Sequence, residues 1–146
     1  MPTQYPCKFI IPAAQANSKG ARLTGGFQNL NGPLSLGDSI QIQVQTTGQG
    51  GPSTLNGYMI FSPALAAGSA QVTPSPFINA TNNNFLCFAS QTGVAGTSGP
   101  GNNTTFTFNA LTYNGGFQGS YELTFVAEDA STKMQWSEDP EFDTEG

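Results

Sequence analysis

The densest run of functional groups in this chain is Met134-Gln-Trp-Ser-Glu-Asp-Pro-Glu-Phe-Asp-Thr-Glu-Gly146, in which Asp139, Glu141, Asp143 and Glu145 stand two residues apart. Side chains at that spacing share one face of an extended strand, so the four would form a row of carboxylates able to cross-link a hard cation such as calcium. The spacing lacks the glycine at the sixth position that an EF-hand loop requires, and the competing reading is a solvated acidic end. Trp136, the only tryptophan, stands beside this row. An aromatic face stacked on sugar C–H groups, with Asp139 or Asn114 bonding the hydroxyls, would make a glycan site. A lone tryptophan near a strand end otherwise packs a core.

Catalytic chemistry finds few of the groups it needs. The 146 residues include no histidine, which removes the imidazole base, histidine-ligated metals and the Ser-His-Asp and Cys-His arrangements. Two cysteines cannot by themselves complete a zinc or iron–sulfur site. Glycoside hydrolysis needs two carboxylates about 5–10 Å apart, and nothing in the spacing of Glu128, Asp129, Glu138 and Asp139 selects a pair. The expectation is a protein that is not an enzyme and that carries no cofactor, calcium aside. Cys7 and Cys87 each sit in an apolar run. They read as buried free thiols in a reducing compartment, or as a single bridge in an oxidising one.

Charge narrows the partners. Four basic residues against nine acidic ones, a net charge of −5, cannot form the positive surface that a nucleic-acid backbone demands. Only 9% of residues are charged, where a typical soluble domain has about 25%. Eleven Phe, four Tyr and one Trp set the chain apart from a disordered one, so it folds behind a neutral surface of Asn, Gln, Ser, Thr and Gly. Such a surface lacks charge repulsion and tolerates copies of itself or neutral ligands such as sugars. The charges are also unevenly placed: the chain through Tyr121 is weakly basic, and from Glu122 onward eight acids face one Lys133. The acidic end of one copy could therefore meet the first quarter of another, or simply remain solvated.

The start, Met1-Pro-Thr-Gln-Tyr-Pro-Cys7, shows no basic stretch followed by an apolar one, so no secretory signal peptide is expected. No apolar run approaches the about 18 residues that cross a bilayer. The sequence as written predicts a cytoplasmic protein without a membrane span, surface or extracellular delivery requiring another route.

The elements that must position these groups are strands. In Ser39-Ile-Gln-Ile-Gln-Val-Gln-Thr46, Ile40, Ile42 and Val44 alternate with Gln41, Gln43 and Gln45. Ser120 to Glu128 repeats the alternation through Tyr121, Leu123, Phe125 and Ala127, and Thr104 to Leu111 through Phe106, Phe108 and Ala110. Apolar runs at 7–11, 58–61 and 85–89 read as more deeply buried strands, with 70–73 and 133–136 as weaker ones. Turn formers separate them: Gly25-Gly26, Asn31-Gly32-Pro33, 48–52, Asn82-Asn83-Asn84, 96–103 and 114–116. The one mildly helical stretch, 63–67, is cut off by Gly68. Seven to nine short strands in residues 1–146 predict one all-β domain, an antiparallel β-sandwich of Greek-key or jelly-roll type, with a barrel as runner-up and an acidic segment at 137–146.

Two stretches carry a family likeness. Leu36-Gly-Asp-Ser-Ile-Gln-Ile42 resembles a "V-G-D-T-I-x-W" strand entry. Tyr121-Glu-Leu-Thr-Phe-Val-Ala-Glu-Asp129, followed by Gln135-Trp-Ser-Glu-Asp-Pro-Glu-Phe142, is similar to the closing strand and "W-D-P-x-I" ending of the bacterial inclusion-body proteins of the PixA/AidA type. The match covers about a quarter of the chain and departs where Ser137-Glu138 separate Trp136 from Asp139-Pro140. The resemblance implies a cytoplasmic β-sandwich that accumulates or self-associates without catalysis. The leading expectation is thus a self-associating structural subunit whose partner is itself, and the alternative is a carbohydrate-binding module assisted by calcium.

Overall fold

The computed structural model describes residues 2–11, 21–47, 51–63, 81–83, 86–113 and 119–144. The described residues form strands β1 (Gln4–Ile11), β2 (Ala21–Arg22), β3 (Thr24–Phe27), β4 (Ser39–Thr46), β5 (Thr54–Pro63), β6 (Thr81–Asn83), β7 (Leu86–Ala95), β8 (Thr97–Ser98), β9 (Thr104–Thr107), β10 (Leu111–Thr112), β11 (Gly119–Asp129), β12 (Gln135–Glu138) and β13 (Glu141–Thr144). A short 3-10 turn spans Pro100–Asn102. Two sheets result. The first runs β3-β1-β4-β9-β8, with β10 also on β4; the second runs β2-β12-β11-β5-β7-β6, with β13 also on β11. Neither closes on itself, so the architecture is a sandwich of two antiparallel-rich sheets and not a barrel.

The alternating sequences set the layers. On β4 Ile40, Ile42 and Val44 are buried and the three glutamines lie on the other face; on β11 Tyr121, Leu123, Phe125 and Ala127 are buried and Glu122, Thr124, Val126 and Glu128 face out. With a side-chain period of two, a one-residue slip would turn either apolar set outward, which pins the register. Phe9 from β1, Phe106 from β9 and Phe61 from β5 complete one apolar core between the sheets.

Several expectations are corrected. The central pair of the first sheet is parallel: β1 and β4 align over eight positions, from Gln4 opposite Ser39 to Ile11 opposite Thr46. Asp38 clasps both strand starts. Its Oδ1 accepts the Thr3 N–H at 2.8 Å, its Oδ2 accepts the Ser35 N–H at 2.9 Å, and the Ser39 N–H donates to the Thr3 carbonyl. Gly25-Gly26 forms β3 and not a turn, because Gly25, at φ +112°, lies so close to β1 that a Cβ would meet the Lys8 carbonyl oxygen at 2.1 Å. Of the expected turn Asn82-Asn83-Asn84, the first two residues belong to β6, since their backbone pairs with Cys87 and Leu86 of β7, and Asn84 lies outside the described residues. The run 104–111 divides into β9 and β10, and 133–136 begins as a turn at Lys133, φ +65°, and becomes strand at Gln135. The acidic end is likewise strand: β12 pairs with the end of β11 and β13 with its start. The expected strand at 70–73, the helical stretch after Pro63 and the turn at 114–116 lie outside the described residues.

The chain passes between the sheets five times, twice with a single residue between the two strands. Between β2 and β3 it crosses at Leu23, which is buried while its N–H donates to the Ser137 carbonyl. Between β7 and β8 it crosses at Gly96, where a Cβ would stand 2.3 Å from Thr104 Cγ2. Strands that switch sheets make the corners of a sandwich, and here they end each sheet in strands of two to four residues.

Candidate functional site

Trp136 lies on β12, opposite Ala127 of β11, and is 1% exposed. Its ring belongs to the apolar core and offers no face to a sugar. Asp139 sits at the surface in the bend before β13. Its N–H donates to Glu138 Oε1 at 2.9 Å and its carboxylate lies 3.6 Å from Arg22 Nη2. Asn114 lies outside the described residues. The glycan constellation of Trp136, Asp139 and Asn114 is therefore not assembled by what the structure describes.

For the carboxylate row, Glu141 and Asp143 sit on β13 opposite Glu122 and Ser120 of β11. Their side chains, and all of Glu145, lie outside the described residues. Among the described residues no group of three or more acidic or thiol side chains converges on a point where a cation could sit. Cys7 is a buried free thiol on β1 of the first sheet, and burial pushes its pKa up, away from the reactive thiolate. Cys87 sits on β7 of the second sheet, opposite Phe61, its side chain outside the described residues.

Among the described residues, polar groups converge in three clusters besides the one at Asp38. At the β2–β12 edge, Arg22 donates to Glu138 Oε1 at 2.6 Å. The Asp139 N–H first, and then Arg22, holds the Glu138 carboxyl below its usual range against the opposing effect of burial. At one end of the second sheet, Glu128 accepts from Asn56 Nδ2 at 3.0 Å, from Gln135 Nε2 at 2.9 Å and from the Tyr58 hydroxyl at 3.4 Å. These bonds, that from Asn56 foremost, depress its pKa. Asn56 is set there by a bulge in β7: its Oδ1 accepts the N–H of Gly93, whose φ of +70° suits a residue without Cβ. At the β11–β12 turn, burial raises the Asp129 carboxyl, but the N–H groups of Ser131 and Thr132 and the Ser131 hydroxyl outweigh it and leave the pKa low. Glu128 faces out, whereas its neighbour Asp129 is buried under the turn.

The fourth feature is a groove of about 330 Å³ on the outer face of the first sheet. Lys8 and Ile10 of β1, Gln43 and Gln45 of β4, Thr105 of β9 and Gln28 line it, and Gly25 leaves its wall low. Sequence reasoning placed the glutamines on a polar face but missed the groove, since only the parallel β1–β4 register sets Lys8 beside Gln43 and Ile10 beside Gln45. No family model matches the chain, and no curated protein or solved structure matches it. Among the described residues, no helix is long and apolar enough to cross a membrane.

Proposed function

We propose that this chain is a non-catalytic structural protein that self-associates through the outer face of its second sheet. The observation that carries the reading is the outer face of the second sheet. There Tyr58 and Ile60 of β5 stand opposite Val126 and Thr124 of β11, all four half-buried. Ser90 and Ser137 lie beside this patch, while Glu122 and Glu128 sit toward its two ends. An apolar centre with an aromatic member and a polar rim, here two serines with a carboxylate toward each end, is the composition of a protein–protein contact. The ends of the sheets favour it less, because edge strands of two to four residues offer few unpaired backbone groups. The resemblance to inclusion-body proteins points the same way. The alternative, a carbohydrate-binding module, draws support from a separate feature, the amide-lined groove of the first sheet.

Light scattering over a concentration series tests the proposal. The expected result is a mass that grows with concentration, is unchanged by EDTA, and falls to the monomer in a Val126→Glu variant, whose carboxylate projects outward and leaves the core intact. A monomer at every concentration, or assembly unaffected by Val126→Glu, overturns it.

A further inference from the structure

We infer that the groove on the first sheet is a binding site for a saccharide unit that carries a carboxylate, a hexuronate being the simplest case. The groove lies on the opposite sheet from the proposed self-association patch, so the two readings stand or fall separately.

The argument begins with the register. β1 and β4 run parallel, with Lys8 level with Gln43 and Ile10 level with Gln45, and β9 brings Thr105 level with Gln45 on the other side. Gln28, whose N–H is held by the Pro6 carbonyl at 2.8 Å, closes the groove from beyond β3. Three primary amides and a hydroxyl thus surround one space. A carboxamide offers a donor and an acceptor from the same planar group, which matches neighbouring hydroxyls on a sugar ring. Ile10, an exposed large hydrophobic at 39%, supplies an apolar surface for the ring's C–H face.

Among the described residues that line the groove, Lys8 alone is charged, and its sign is positive. Lys8 is exposed, none of those residues is acidic, and the ion pairs among the described residues all belong to Arg22 at the other sheet's edge. An ammonium in a setting of neutral amides selects a ligand with one negative charge among hydroxyls. A phosphate-rich ligand would call for several cations or Arg forks, which the groove lacks. Its volume, about 330 Å³, is near the lower limit of about 300 Å³ for small-ligand pockets and suits one sugar unit.

The test is an amide chemical-shift titration of the full chain with sodium D-glucuronate, D-glucose and sodium acetate, each to about 50 mM, a range that detects millimolar binding. The expected result is saturable shifts with glucuronate at residues 8–10, 25–28, 43–45 and 105. Glucose and acetate should bind at least about tenfold more weakly, and Lys8→Gln should lower glucuronate affinity by about tenfold. Gln45→Glu, which places a like charge in the groove, should abolish binding, and both outward substitutions leave the core untouched. Three results overturn the inference: no saturable shift with glucuronate, glucose binding as tightly as glucuronate and unaffected by Lys8→Gln, or acetate reproducing the whole effect. Shifts at the groove that depend on protein concentration without sugar would assign it to a second copy and overturn it equally.

Discussion

Phe9 of β1 and Phe125 of β11 lie ring over ring across the sandwich, their centroids 5.2 Å apart and their planes within 7° of parallel. Phe108 meets the same Phe125 edge-on at 5.5 Å and 74°. One aromatic ring on the second sheet therefore receives two from the first-sheet side, and all three are buried. Offset-stacked and edge-to-face pairs of this kind add about 0.5–1.5 kcal/mol each to the burial of the rings.

Truncating that shared ring should cost more than truncating either partner. Phe125→Ala is expected to destabilise the fold by about 3–5 kcal/mol, from lost burial and the cavity left behind. Phe108→Ala removes one aromatic contact and should cost less. Urea unfolding of the two variants checks the order, and equal midpoints would show that the pairs contribute nothing beyond area.

The same substitution should have opposite effects at two glycines. A Cβ on Gly57 would lie 2.4 Å from Phe108 Cε1, so Gly57→Ala must displace a core ring and should destabilise by about 1–3 kcal/mol. Gly32 has open space around its Cβ position and no positive φ, so Gly32→Ala should be neutral or stabilise by up to about 1 kcal/mol through the unfolded chain. Thermal melts of both variants read the signs directly.

Asp38 serves the fold through backbone bonds. Asp38→Ala leaves the N–H groups of Thr3 and Ser35 without their acceptor and should cost about 1–3 kcal/mol. Hydrogen exchange should quicken first at the start of β1 and around Ser35, with β11 unchanged. Uniform loss of protection over both sheets would contradict a local clasp.

Acid should weaken the fold in a defined window. Glu128, Asp129 and Glu138 all have folded-state pKa values depressed below their unfolded ones. A depressed carboxylate contributes stability that is fully present above the unfolded value of about 4 and is lost as pH falls through the folded one. Stability should therefore be flat between about pH 5 and 7 as far as these groups act, and should decline below about pH 4. Asp129→Asn should flatten part of that decline, which unfolding midpoints measured from pH 2 to 7 would reveal.

Much of the architecture was legible in the chain because a strand's side-chain period is local. The alternation of Ile40, Ile42 and Val44 with glutamines, and of Tyr121, Leu123, Phe125 and Ala127 with polar residues, named both central strands and the faces they bury. Composition likewise leaves the chain without an imidazole and with four basic residues against nine acidic ones. Pairing is not local, and there the tertiary structure decided. Gly25 reads as a turn residue until the Lys8 carbonyl lies against it, and Trp136 reads as a platform or a core residue until the sandwich buries it. The groove depends on the parallel register of β1 and β4, whose starts the Asp38 carboxylate ties together and which no side-chain period announces. Period and composition are properties of neighbours in sequence, whereas register, sheet order and the meeting of Lys8 with Gln43 arise only when distant segments share hydrogen bonds.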